Sequence, residues 1–367
     1  MKNNLIRLII SLLFFLILAF GGFGNLYIIE IAGLAVSGIL FLTQFYSKKD
    51  YKFPKQTNIF LIFIACQLVS LIWSNNIFNS IEYIVLFISS FGFWIFFYNS
   101  DNFYKKYLIK IIPILGILFF LSFFFTSVIE LPFLKKFIPE NTCTLYSPYT
   151  MEHNHLGDFW AIISLIYIVG FLTKQRFMYI LGISFGLFVL VFSQSRSALM
   201  GILVSLYLFL INKNFSKETK KYFKLIVLFL ILIFLIISAG KVTFFSRPYY
   251  IQAIISLFKN PLGVGMGNFK YISSNITTFN FATSSAAKAH NIFFEVTSGL
   301  GILSISFIVF FVSAFREALK KKNYNLPLLI FILITVNFSF DVTYAIPTML
   351  WLWFSTLGIA LSESVKS

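Results

Sequence analysis

Charge is scarce in this sequence. Only 11% of its 367 residues are charged, and 13 acids stand against 29 bases. Soluble domains carry about a quarter charged residues, so a water-soluble globule is excluded. Cysteine is scarcer still: Cys66 falls in an apolar run and Cys143 in a connecting segment, which excludes a disulfide framework. No glycine-rich loop ending in Gly-Lys-Ser or Gly-Lys-Thr is present, so nothing here cradles the phosphates that drive an ATP-dependent pump. Disorder and coiled coils need polar composition or heptads, and neither is found.

What is abundant is apolar and aromatic. Hydrophobic residues make up 59% of the chain, with 50 Phe among them, and the mean hydropathy is +0.87. The apolar runs are about 17–21 residues long, the length of helix that crosses a bilayer and longer than barrel strands require. In hydrocarbon a helix satisfies its own backbone, so the expected fold is all-α. The pattern predicts a single integral membrane domain over 1–367 with about 12 transmembrane helices: 5–21, 26–46, 57–74, 81–98, 109–129, 157–173, 178–194, 197–212, 224–240, 290–315, 326–341 and 345–362.

The net charge of +16 reads differently once the charges are placed. With the N-terminus inside, 21 of the 29 Lys and Arg fall on the cytoplasmic side and 8 outside. That bias puts both termini in the cytoplasm. The excess is an orientation signal with some attraction to anionic membrane lipids, and it implies no nucleic-acid partner. The first apolar stretch starts basic but lacks a small-residue cleavage pattern before Gly21-Gly22-Phe23-Gly24, so it is expected to stay as an anchor helix.

Two outer segments are longer than the other connections, at 130–156 and 241–289. Long loops in a compact protein are usually functional. Within the larger, Tyr250 to Phe258 is apolar-periodic and ends at Asn260-Pro261, which predicts a short amphipathic helix on the outer membrane face. Gly263, Gly265 and Gly267 follow; without a βαβ setting they read as a tight turn rather than a dinucleotide loop.

The outside cations run against the positive-inside trend. Lys135, Lys136, Lys241, Lys259 and Lys270 fit solvated loop charges. Arg196, in Ser195-Arg196-Ser197-Ala198 between spans seven and eight, is either a snorkelling interface residue or an anion clamp. Together with Arg247, which opens the amphipathic stretch, it would suit a diphosphate, because two planar guanidiniums donate bidentately. His290 begins span ten, in Ala289-His290-Asn291, where a neutral imidazole can take a proton from a sugar hydroxyl. Asn291 and Glu295 share a helical face beside it, and Asn154 stands at the start of span six; these three are candidate substrate-lining residues. Glu152, His153, His155 and Asp158 are metal-ligating types, but their spacing matches no standard zinc signature, so no metal is expected. Glu30 and Asp341 are intramembrane acids, suited either to proton-coupled transport or to hydrogen-bonded helix packing.

These pieces occur in an order that resembles the O-antigen ligase and polymerase family of bacterial envelope glycan enzymes. The resemblance rests on Ser195-Arg196-Ser197-Ala198-Leu199, Arg247, the run Asn260-Pro261-Leu262-Gly263-Val264-Gly265-Met266-Gly267-Asn268-Phe269, and Ala289-His290-Asn291 followed by Gly301, and it covers about 150–305. It implies a membrane enzyme that moves a glycan from an undecaprenyl diphosphate carrier to an acceptor hydroxyl, without ATP, metal or other cofactor. By the same resemblance, Arg196 and Arg247 bind the diphosphate and His290 activates the acceptor. Transfer to a lipid A core or similar acceptor is the ligase reading; transfer to another carrier-linked repeat is the polymerase alternative. From other classes, a transporter or flippase for envelope glycans and a non-catalytic assembly component remain alternatives at this point.

Overall fold

The computed structural model describes residues 2–22, 27–47, 51–124, 153–174, 177–212, 216–238, 248–275, 287–320 and 325–362. Among these residues the regular structure is helical, with no strand. Each apolar run of the sequence falls on a helix: α1 Lys2–Gly21, α2 Tyr27–Ser47, α3 Thr57–Ser70, α4 Ile77–Asn99, α5 Asn102–Phe123, α6 His153–Lys174, α7 Phe177–Ser193, α8 Arg196–Asn212 and α9 Lys217–Ser238. Two helices of the large loop follow, α10 Pro248–Lys259 and α11 Phe269–Asn275, then α12 Ile292–Leu300, α13 Ile305–Lys320, α14 Leu326–Phe340 and α15 Pro347–Leu361. Five stretches are long and apolar enough to cross a membrane: Tyr27–Tyr46, Ile77–Asn99, Asn102–Phe123, Asn154–Lys174 and Ile292–Lys320. Six other apolar helices are shorter, at 10–17 residues, so length alone does not carry the count to twelve crossings.

The helices start where polar side chains take up the orphan amides of the first turn. Asn76 accepts from Phe78 N and Asn79 N before α4, Asp101 from Tyr104 N before α5, and Asn325 from Leu328 N before α14. Each such cap contributes about 1 kcal/mol.

Packing centres on α15, in which every residue from Pro347 to Leu361 is buried. A helix apolar on all sides belongs inside a bundle. It lies against α4, α14, α1 and α13, while α14 also packs on α8 and α6. Thr356 and both indoles of α15 are satisfied within the bundle: Thr356 donates to Leu352 O at 2.8 Å, Trp351 Nε1 to Ser89 at 2.8 Å and Trp353 Nε1 to Thr335 at 2.8 Å. Phenylalanine seals the contact of α3, α4 and α13, with Phe60 4.9 Å from Phe310 and Phe63 4.9 Å from Phe307. The periphery is the reverse of a soluble surface: Ile28, Tyr46, Phe188, Leu228 and Ile236 are all exposed. In water such a surface would aggregate; facing lipid it costs nothing.

The sequence reading of one span over 290–315 is modified by a break. At Gly301 the helix stops with φ +55°, and a 3₁₀ turn over Gly301–Ser304 separates α12 from α13. The reason is the loop after α10, which docks into the break through backbone bonds. Val264 N donates to Ser298 O at 3.2 Å, Gly265 N to Gly299 O at 2.8 Å and Ile302 N to Pro261 O at 2.8 Å. A Cβ on Gly301 would sit 2.0 Å from Pro261 O, and one on Gly263, itself at φ +79°, 2.3 Å from Gly299 O. Only glycine tolerates both the left-handed backbone and that approach. The other side of the loop is fastened by Asn268, whose amide nitrogen has Ser74 Oγ, Asn76 O, Ser80 Oγ and Val264 O within 3.0–3.3 Å as acceptors for its two hydrogens.

Candidate active site

The turn that carries Arg196 and the turn that carries His290, 94 positions apart in the chain, are both held against the segment 341–343. α7 ends in a turn through Gln194 at φ 53°, and Arg196 is the first residue of α8. The two serines that bracket it, Ser195 and Ser197, both donate to Asp158 Oδ1, at 2.6 and 3.0 Å. Asp158 lies on α6 and is fully buried. Its other oxygen accepts from the hydroxyl of Thr343. Gly157 lets α6 approach this closely, since a Cβ there would fall 2.1 Å from Ser193 Oγ. Three hydroxyls on one carboxylate satisfy a group that could not otherwise be buried.

Two residues before Thr343, Asp341 ends α14. Its Oδ1 takes the amide of Val342 at 2.7 Å and lies 3.9 Å from His155 Nε2 and 4.0 Å from His290 Nδ1. These are electrostatic rather than hydrogen-bond distances, and catalytic contacts commonly tighten only when substrate binds. His155 is buried, and His290 keeps 28% of its side chain exposed.

His290 has a backbone φ of 54°, rare for a side chain of this size. Such strain persists only where surroundings over-determine it. Here they do. The Tyr249 ring stacks on the imidazole at 5.2 Å and 16°, and Tyr250 OH donates to His290 O at 3.4 Å. On the other side Asn291 caps α12 by accepting from Phe293 N and Phe294 N, and donates to Ser339 O at 2.7 Å. Glu295 accepts from Ala289 N at 2.8 Å and from Tyr344 OH at 3.0 Å. Lys288 donates to Tyr83 OH at 2.7 Å and lies over that ring at 4.5 Å, within electrostatic reach of Glu30, Glu82 and Glu295.

Of the residues singled out from sequence, His290 lies beside Asp341, and Arg196 stands between the two serines that bond Asp158. Asn291 and Glu295 are engaged in shaping the turn that carries His290, and Asn154 is half-buried on the first turn of α6. Arg247 lies outside the described residues, as do Glu152 and Cys143. Within the crowd around His155, that residue faces Asp341 while Asp158 binds hydroxyls. Sequence reasoning missed the pairing of Asp341 with two histidines and the role of Asp158. The available signal was the Ser-Arg-Ser bracket, which places two hydroxyls beside one arginine.

Fold and site together define a polytopic helical membrane protein in which Asp341, at the end of α14, faces His155 of α6 and His290 before α12, while Asp158 of α6 holds the turn that starts α8. A family model described as O-antigen ligase matches residues 180–309, a stretch containing Arg196, the α10–α11 loop and His290. The match supports the O-antigen ligase/polymerase family for this chain, and with it a membrane enzyme of glycan-transferring type. No curated protein matches the sequence.

Proposed function

We propose that the protein transfers a glycan from an undecaprenyl diphosphate carrier to an acceptor hydroxyl, as a ligase, at the outer face of a bacterial inner membrane. The observation that carries this reading is the Asp341–His290 pair held in strained geometry and tied through Thr343 and Asp158 to the Arg196 turn. A sugar diphosphate is already activated, so the enzyme has two tasks: to accept the hydroxyl proton and to stabilise charge on the departing diphosphate.

With the Asp341 carboxylate beside Nδ1, the opposite ring nitrogen of His290 takes the proton. The acceptor oxygen forms a bond to the anomeric carbon as the bond to the diphosphate oxygen breaks, and the carrier leaves with the electron pair. Arg196 and Arg247 neutralise it. Arg247 precedes Tyr249 by two residues, and Tyr249 stacks on His290, which supports pairing the two arginines in one site. Attack by the hydroxyl inverts the anomeric configuration. Both termini lie in the cytoplasm, all twelve apolar runs of the sequence cross the membrane, and their lipid-facing surfaces border the polyprenyl chain.

The test is reconstitution of purified protein with undecaprenyl-diphosphate-linked oligosaccharide, a lipid A core acceptor and a second carrier-linked glycan. Transfer to the core without ATP, lost in His290→Ala, is the expected result. Transfer only to the second glycan assigns a polymerase. Turnover unchanged in His290→Ala, or movement of the lipid across the bilayer without a new glycosidic bond, refutes the proposal.

A further inference from the structure

Away from the His290 cluster, the far end of α10 borders a cavity of about 520 Å³ between the α10–α11 loop and the turn joining α3 to α4. Trp73, Asn75, Lys259, Asn260, Tyr271 and Asn275 line it. Beside apolar residues of the loop and α11, it presents two aromatic rings, three side-chain amides and one ammonium, a mixture unlike the lipid-facing surface. Aromatic rings present apolar faces on which the C–H side of a sugar ring packs, and amides both donate to and accept from hydroxyls. Neither segment that forms the cavity supplies an acid to the ammonium, since 241–289 and 71–81 contain no Asp or Glu. Five of the six residues are exposed, and Trp73 is held with its indole N–H on Leu262 O at 2.9 Å. The cavity rim is therefore rigid, since the same loop is bonded into the helix break at Gly301.

We propose that this cavity is a distal subsite for an oligosaccharide bearing an acidic sugar. The inference rests on the transferase reading for its role, and α10 supplies the geometry. Tyr249 at one end stacks on His290 and Lys259 at the other edges the cavity, so the two lie about 15 Å apart along the helix at 1.5 Å per residue. A single sugar at the reacting bond does not span that distance; a chain of several rings does. Glycan length and charge are thereby read away from the chemistry.

The direct test is a fluorescence titration of the whole protein with an acidic probe, an oligogalacturonate, and a neutral one, maltohexaose. Trp73 is the reporter, because Trp94, Trp160, Trp351 and Trp353 are buried. A saturable change with the oligogalacturonate is expected, weakened about tenfold in Tyr271→Ala and Lys259→Gln by the loss of one ring or one charge-assisted contact, and smaller with maltohexaose. No saturable change, equal binding by the variants, or the same response to glycerol phosphate, which marks a lipid headgroup site, overturns the proposal. The titration needs no turnover, so failure of transfer with binding intact removes the transferase reading and leaves the site. Where transfer is measured, lengthening donor and acceptor glycans separately identifies which one occupies the cavity by a lowered KM; no change for either overturns its place in the reaction.

Discussion

Replacing Asp158 probes the network that joins Arg196 to His290 without touching either. Its carboxylate accepts from Ser195, Ser197 and Thr343, each on a different segment from α6. Bonds to a charged acceptor contribute about 1.5–3 kcal/mol each, and the three do not add in full, because Ser195 and Ser197 also lie 3.0 Å apart and can bond each other. Asp158→Ala is therefore expected to cost about 3–5 kcal/mol, mostly from hydroxyls left buried and unsatisfied. Asp158→Asn retains one acceptor oxygen toward the serines and presents an amide toward Thr343, whose hydroxyl can turn to accept. That variant should lose about 1–2 kcal/mol, the difference between charged and neutral acceptors. Thermal unfolding of detergent-solubilised protein, followed by loss of monodisperse material, reads the order wild type, Asn, Ala. Transfer by the Asn variant at a temperature where it is folded should show a raised KM for the lipid-linked donor, because the Arg196 turn is less well held. An Ala variant as stable as wild type would refute the assignment of Asp158 as the joint between α6, α8 and the turn at Thr343.

Three other outcomes follow from the same geometry. Asp341→Asn removes the charge beside two imidazoles, and kcat should fall about 10–100-fold with donor KM unchanged, read in single-turnover assays; an equal loss through KM alone counts against it. Arg196→Lys preserves the charge but not the planar fork, so donor affinity should weaken about tenfold, measured by competition with undecaprenyl diphosphate, and full retention removes bidentate binding from the account. Gly301→Val forces a branched side chain to φ +55° against Pro261 O, which should cost more than about 2 kcal/mol and appear as lost yield of folded protein; a stable Val variant would show that the loop is not docked in the break.

Helices were the readable part of this sequence because hydrocarbon imposes one solution on the backbone, and an apolar run announces it. The Tyr250–Phe258 amphipathic pattern likewise sits in α10, which runs on to Lys259 before Asn260-Pro261. The break at Gly301 was hidden, since Ile292–Lys320 reads as one long, mainly apolar stretch and nothing local tells that a loop forty residues upstream supplies its backbone partners. His290 and Arg196 stood out by rarity and by placement against the charge bias. Asp158 and Asp341 were noticed as acids but not for what they do, because their meaning comes from hydroxyls and imidazoles on segments more than thirty residues away. Helices leave a periodic trace along the chain, whereas a network joining their ends leaves none.

The most direct test of the central claim is an experimental structure with undecaprenyl diphosphate bound. The account predicts the guanidiniums of both Arg196 and Arg247 on the diphosphate, with the imidazole of His290 facing the side from which an acceptor hydroxyl approaches. A diphosphate held elsewhere, or His290 turned away from it, would contradict the account.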